Sequence, residues 1–293
     1  MEKLTTCIWF NDNAQEAAKF YTSLFDNSRL GEVATYSEAS AKMSGRPVGS
    51  VLTVVFHLEG QEFMALNGGP IFSPTPAISF FVSCESEEEI DRLFAQFSLN
   101  GAVLMPLSKY PFSEKFGWIN DRFGVSWQLN LAPEAQKIRN ALLFTRDKAG
   151  RAQEAIDFYT SVFKNSRVVK VVRYPAGMHE PEGWVMHAAF VINGKEFVAM
   201  DSGGPHEFGF TEGTSFVCHC ETQQELDYLW DALSAGGQPG QCGWLVDKFG
   251  VSWQVVPALL GKLMSDSSRS GRVMDSLLTM TKLDIATLTR AAE

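Results

Sequence analysis

Residues 14–30 read AQEAAKFYTSLFDNSRL, and residues 152–168 read AQEAIDFYTSVFKNSRV. The two stretches are identical at 12 of 17 positions, at an offset of 138 residues. A second pair, GWINDRFGVSWQ at 117–128 and GWLVDKFGVSWQ at 243–254, is identical at 9 of 12 positions. Repetition in the same order along the chain indicates a duplicated structural unit.

The repeats divide the 293-residue chain into three parts. We predict one domain at 1–132, a second at 138–258 and a helical tail at 259–293, since each repeat has the length of an ordinary small domain. In the tail, Asp284 precedes an apolar pattern and is expected to cap a final helix.

Each repeat contains the same series of predicted elements. Apolar residues at three- and four-residue spacing predict helices, and alternating or β-branched runs predict strands. In the first copy these are a helix at 14–26 capped by Asn13 or Asp12, a hairpin at 50–67, a strand at 78–84, a helix at 86–97 and a hairpin at 117–130. The sum is an α+β fold with two βαβββ modules per domain. A segment found only in the first copy, LMPLSKYPFSEKF, is predicted to be a loop.

Composition excludes several kinds of partner. The net charge of -9 and the absence of a basic run argue against nucleic acid. No apolar run reaches the length of a membrane span, and the N-terminus lacks the pattern of a secretory signal. Five cysteines, an odd number lying mostly in apolar segments, suit a reducing compartment. The sequence therefore predicts a cytoplasmic protein with neither nucleic-acid nor membrane partner.

Four motifs in both copies carry a family likeness: AxEAxxFYTSxFxNSR, the EFMALNGGP hairpin, the SFFVSCE strand and GWxxDxFGVSWQ. Together they resemble the PhnB-like, demethylubiquinone-methyltransferase-like branch of the vicinal oxygen chelate superfamily, which includes glyoxalase I, extradiol dioxygenases and bleomycin-sequestering proteins. The resemblance implies tandem domains whose curved sheets form concave pockets. It also implies that active members bind a metal through the first and last strands of the modules.

The resemblance places three ligand positions of the first copy at Thr6, Ser79 and Gln128. None of these side chains offers the imidazole or carboxylate that a divalent cation prefers. We therefore expect the first copy to bind no metal.

The second copy contains two histidines in strand-like segments. Period-two alternation puts His187 on one face of its strand, and it puts His219 on the same face as Ser215. Gln254 stands where the resemblance implies a glutamate, so His187, His219 and Gln254 are expected to converge on one concave surface. Lining an apolar pocket is the favoured role, and a divalent-metal site through His187 and His219 is the alternative. The predicted pocket residues are Thr6, His57, Ser79, Gln128, His187, Ser215, His219 and Gln254.

Other conspicuous residues have simpler interpretations. In Cys218-His219-Cys220 the two thiols should point away from the imidazole and into the core. Trp127 and Trp253 should face the helices, because each alternates with a glutamine on the pocket side. Asp121 and Asp247 are read as turn residues.

The leading hypothesis is a protein that binds a small apolar or aromatic molecule in a concave sheet pocket, with no cofactor. One alternative is a metal-dependent lyase, isomerase or dioxygenase, and another is an interaction module that forms a homodimer through its tail. A methyltransferase activity is disfavoured, because no glycine-rich strand-turn-helix motif for S-adenosylmethionine is present.

Overall fold

The computed structural model describes residues 2–266 and 268–293. Within these residues it contains sixteen strands and eight helices. The strands are β1 Leu4–Phe10, β2 Arg29–Thr35, β3 Val51–Leu58, β4 Gln61–Asn67, β5 Ile78–Cys84, β6 Ala102–Tyr110, β7 Ser113–Asn120, β8 Ser126–Leu131, β9 Ile138–Phe144, β10 Arg167–Arg173, β11 Val185–Ile192, β12 Lys195–Asp201, β13 Thr214–Cys220, β14 Gln238–Pro239, β15 Trp244–Val246 and β16 Ser252–Pro257. The helices are α1 Ala14–Leu24, α2 Glu38–Ser44, α3 Glu87–Ser98, α4 Ala152–Val162, α5 Gln223–Ser234, α6 Leu260–Ser265, α7 Ser270–Leu278 and α8 Ile285–Ala291.

The predicted α+β fold of four βαβββ modules is confirmed. The modules begin at β1, β5, β9 and β13, and each has one long helix after its first strand. The first module has an additional short helix, α2, between its second and third strands.

The modules pair across the two repeats. The first sheet has the strand order β14-β15-β16-β13-β1-β4-β3-β2, so it joins the first module to the fourth. The second sheet, β10-β11-β12-β9-β5-β8-β7-β6, joins the second module to the third. The chain accordingly forms two compact units: the first runs to Ser73 and resumes at Thr211, and the second is Pro74–Phe210. These boundaries differ from those of the sequence repeats, because sheet pairing rather than chain order groups the modules.

Both sheets are built around an antiparallel pair of first strands. In the first sheet β1 pairs with β13, and in the second β5 pairs with β9. Each first strand also lies parallel to the last strand of its own module, as β1 does to β4 and β5 does to β8. The first and last strands of every module are therefore the four central strands of a sheet.

One face of each sheet packs against helices. Phe56 and Phe63 stack with ring centroids 5.5 Å apart next to Tyr21 of α1. Trp127 stacks on Phe97 of α3 at 4.5 Å. The predicted orientation of the tryptophans toward the helices is thus confirmed.

The aspartates before Phe-Gly are turn residues that also bind these tryptophans. Asp121 accepts hydrogen bonds from the backbone N–H groups of Phe123 and Val125, and its second carboxylate oxygen accepts from Trp127 Nε1 at 2.9 Å. The corresponding bond from Trp253 Nε1 to Asp247 is 2.8 Å. A buried polar group at each turn is satisfied in this way.

The start of the first helix differs from its prediction. Asn13 occupies the capping position, but its side chain makes no capping hydrogen bond. Instead Asn67, at the end of β4, accepts from the Ala14 N–H at 2.9 Å. In the second copy Asp201 accepts from Ala152 N–H at 3.0 Å. A side chain distant in the sequence therefore accepts the hydrogen bond that a local capping residue would otherwise accept.

The prediction of a loop in the first copy is wrong. Its residues, 104–116, belong to the long antiparallel hairpin of β6 and β7. The second copy has only the short pair β14 and β15 at this place.

The tail is helical, as predicted, and it lies on the first unit. Helix α7 packs against α2. Asp284 caps α8 by accepting from the Thr287 N–H at 2.7 Å. In the part of the chain that is described, no helix combines the length and apolarity needed to span a membrane.

Candidate functional site

The sheet face opposite the long helices, here called the far face, carries equivalent positions in the two units. The register of the central strands puts six residues of the first unit on it: Ser215, Val217, His219, Gln254, Thr5 and Cys7. Their equivalents in the second unit are, in the same order, Ser79, Phe81, Ser83, Gln128, Arg139 and Ala141.

The prediction that Thr6 lines the pocket is wrong. Thr6 lies opposite Phe63 in one neighbouring strand and Phe216 in the other, and both of these residues face the helices. Since successive residues of a strand point to opposite faces, Thr5 and Cys7 occupy the far face instead.

The predicted serine and glutamine positions come together in both units. Gln254 Nε2 donates to Ser215 Oγ at 3.0 Å, and Gln128 Nε2 donates to Ser79 Oγ at 2.8 Å. Each pair joins the first and last strand of one module and is buried.

The family resemblance implies metal ligands at the Ser79 and Gln128 positions and their equivalents, and the side chains found there do not fit a metal. In the first unit Cys7 joins Ser215 and Gln254, and burial raises the pKa of its thiol to about 11, so the thiol stays protonated. The second unit has Ala141 at the position of Cys7. A hydroxyl and an amide that bond each other are poor ligands for a divalent cation, and neither unit has an imidazole or a carboxylate at these positions. Among the described residues there is no group of three or more His, Cys, Asp and Glu side chains that could hold a metal.

The two histidines of the second copy lie in different sheets. His219 belongs to β13 of the first sheet, with Gln254 in the adjacent strand, whereas His187 belongs to β11 of the second sheet. The expectation that His187, His219 and Gln254 line one sheet surface is therefore wrong. The reason is that the third and fourth modules, which carry them, pair with different partners.

The first unit has a polar network on its far face. Thr5 Oγ1 donates to Glu62 Oε1 at 3.0 Å and lies 3.2 Å from His219 Nε2. His57 Nε2 lies 3.8 Å from the other oxygen of Glu62, and His57 Nδ1 is buried with no hydrogen-bond partner. The structure thus brings His57 and His219 into one network, while the flanking Cys218 and Cys220 are buried toward the helices, as predicted.

The second unit has an apolar far face. Phe81, Phe116, Ala141 and Val198 form a buried cluster. Partly buried side chains packed against this cluster are Met105, Tyr110, Trp118 and Met200. Three of these four come from the long β6–β7 hairpin, and two of them, Met105 and Tyr110, lie in the segment that was expected to be a loop.

His187 borders this apolar cluster. Its ring lies 6.3 Å from the ring of Phe81 in an edge-on arrangement. Burial, and then the charges of Arg139 and Lys170, lower the pKa of His187. The imidazole is therefore neutral near neutral pH.

Arg139 is a far-face residue that sequence reasoning missed. It is 5% exposed, its guanidinium carbon lies 5.1 Å from the centre of the Phe81 ring, and Nη2 donates to Ser83 Oγ at 3.0 Å. Burial lowers the pKa of its guanidinium. Aligning the two copies could have revealed it, because the apolar strand IRNALLF carries a charged residue where the first copy has Thr5.

The fold has a counterpart of known structure. Glyoxalase I from Zea mays matches with a TM-score of 0.58 over 91% of this chain and 96% of that chain, at 11% identity. This match shows that the chain has the tandem fold of glyoxalase I, with four βαβββ modules in two mixed sheets.

The family follows from the sequence. The family model described as 3-demethylubiquinone-9 3-methyltransferase matches residues 2–130 and again 136–256, and the chain belongs to this PhnB-like family. A PhnB protein from Bacillus cereus is 48% identical over 45% of this chain and 100% of its own length, with a TM-score of 0.41. A protein from Staphylococcus aureus is 37% identical over 45% of this chain and 98% of its own, with a TM-score of 0.19. No curated protein matches the chain.

Proposed function

We propose that this protein binds a small apolar or aromatic molecule on the far face of its second unit, without a metal cofactor. The observation that carries the proposal is the apolar cluster around Phe81 and Phe116, with its partly buried border of hairpin residues.

The geometry of the cluster suits an aromatic ligand. The rings of Phe81 and Phe116 are 6.3 Å apart, and Tyr110 meets Phe116 edge-on at 5.9 Å. Aromatic side chains stabilise a bound ring through edge-on and offset contacts as well as through the apolar area removed from water. Trp118, whose Nε1 donates to Ser126 Oγ at 2.8 Å, is fixed at the border of this surface.

We do not propose methyltransferase activity for this chain, although the family description names one. S-adenosylmethionine binding of the Rossmann type uses a parallel sheet with helices on both faces and a glycine-rich turn. Here both sheets are mixed, with parallel and antiparallel neighbours, and the long helices pack on one face.

The test is calorimetric titration of the full chain with 2-naphthalenemethanol, a neutral aromatic probe. We expect saturable binding that Met105→Glu weakens about tenfold or more, because a carboxylate at the border of the apolar face must be desolvated when the ring binds. Val103→Glu is the matched control, since Val103 lies on the same strand and is exposed. Absence of saturable binding, or equal weakening by both variants, would contradict the proposal.

A further inference from the structure

The far face of the second unit contains a buried cation whose hydrogen-bonding capacity is unfilled. Arg139 Nε is buried and has no hydrogen-bond partner. Glu134 Oε1 lies 3.9 Å from Nη1, beyond hydrogen-bonding distance, and the Glu134 side chain is half exposed. Removing a guanidinium from water is costly unless its donors are paired, so this arrangement favours an additional acceptor.

The cation lies beside the apolar cluster. Arg139 is directly opposite Phe81 in the register of β9 and β5, and its guanidinium lies over the Phe81 ring. An aromatic wall and a buried, incompletely paired guanidinium therefore occupy neighbouring positions on one face.

We propose that the second unit binds a planar aromatic carboxylate, with the ring against Phe81 and Phe116 and the carboxylate on the guanidinium of Arg139. This inference rests on the proposed function and specifies its ligand class. Arginine suits the carboxylate because its planar fork donates two parallel hydrogen bonds to the two oxygens.

The first unit lacks both the arginine and the aromatic residue of this site, so we expect one such molecule per chain. Thr5 stands at the position of Arg139, and Val217 stands at that of Phe81. A glutamate lies in the neighbouring strand of both units, Glu62 beside Thr5 and Glu196 beside Arg139, but in the first unit Thr5 stands where an arginine would offset this charge. A second carboxylate there would be repelled.

The residues of the second unit also limit what else binds. His187 next to Phe81 has a pKa lowered by burial, so the imidazole adds no charge near neutral pH. Arg139, with Glu134 and Glu196 as the acidic groups near it, is the buried cation next to Phe81, whereas Lys170, the other cation near His187, is exposed. The Arg139 guanidinium is therefore expected to distinguish an anionic ring from a neutral one.

The test compares 2-naphthoate with 2-naphthalenemethanol in calorimetric titrations of the full chain. We expect one naphthoate per chain, bound about tenfold or more tightly than the alcohol, as one charge-assisted interaction provides. Arg139→Met is expected to remove this preference and leave the affinity for the alcohol within about twofold. Thr5→Val, the same position in the first unit, is the control and should change neither affinity.

Three results would overturn the inference: equal affinity of the wild-type chain for the two probes, two naphthoates per chain, or full naphthoate affinity in Arg139→Met. The first two need no variant, so they decide the question even if Arg139→Met does not fold. Binding of the alcohol without a preference for naphthoate refutes the carboxylate site alone. Failure of both probes to bind refutes the proposed function as well.

Discussion

Arg139 and Thr5 occupy the same position of the aligned strands IRNALLF and LTTCIWF, and each bonds the equivalent residue of the neighbouring strand. Arg139 donates to Ser83, and Thr5 lies at hydrogen-bonding distance from His219. The duplicated backbone is therefore retained while the side chains of one far-face position are exchanged. A cation in one unit and a neutral hydroxyl in the other give the two faces different ligand chemistry.

His187 makes the stability of the chain depend on pH. Burial and two nearby cations lower its pKa in the folded state, whereas the unfolded imidazole titrates near its usual value of about 6.5. Between the lowered pKa and that value the unfolded chain binds more protons, so the free energy of unfolding rises with pH and is lost as pH falls.

We expect His187→Gln to reduce this acid-induced loss of stability. The measurement is urea unfolding of wild type and variant at pH values of about 7.5 and about 5.5, on either side of the unfolded pKa. His179→Gln, at an exposed histidine of the same unit, is the control. Equal pH dependence of wild type and His187→Gln would show that this imidazole is not the group responsible.

Among the strands and helices, the β6–β7 hairpin differs most between the two copies. Tyr110 stacks on Phe112 at 5.5 Å, and both contact Phe116 edge-on. The hairpin extends the second sheet and contributes most of the border of its apolar far face. Its first-unit counterpart is the much shorter pair of β14 and β15.

Replacing residues 104–116 by Gly240–Cys242 should weaken ligand binding and still allow the chain to fold. The fourth module folds in its own sheet with this short connection, so we expect the shortened chain to fold, with a lower unfolding midpoint because Phe116 is lost from the cluster. Binding of 2-naphthalenemethanol should fall about tenfold or more. Circular dichroism and calorimetry measure the two effects, and retained binding would place the site elsewhere.

In the whole molecule, strands of one repeat pair with strands of the other, so neither repeat can complete its sheets alone. The first strands β1 and β5 of the first repeat pair with β13 and β9 of the second. A fragment of residues 1–132 would leave both of these strand edges without partners, and unpaired edges favour association with another chain. A fragment of Pro74–Phe210 keeps its whole sheet.

We therefore expect the fragment 74–210 to be a folded monomer and the fragment 1–132 to self-associate. Analytical ultracentrifugation measures the mass of each fragment, and thermal unfolding measures its cooperativity. A stable monomer of 1–132 would instead support the repeat boundaries as independent domains. A homodimer of the full chain and its cytoplasmic location stay predictions, the first open to the same sedimentation measurement.

Local sequence patterns were enough to predict most helices and strands and the direction in which their side chains point, although residues 104–116 were predicted as a loop. The repeat and most strand and helix positions, the burial of Trp127 and Trp253, and the placement of the Gln128 and Gln254 side chains on the opposite sheet face were predicted from local patterns. Such patterns act over a few residues and are the same in isolated segments and in the folded chain.

Long-range contacts determine which modules share a sheet. The repeats are so similar that β1 and β5 have no local feature choosing between a partner in their own copy and one in the other, and the choice depends on long-range hydrogen bonding between strand edges. That choice places His187 and His219 in different sheets, joins His219 to Thr5 and Glu62, and buries Arg139 against Phe81. The proposed site therefore depends on contacts between residues that lie far apart in the chain.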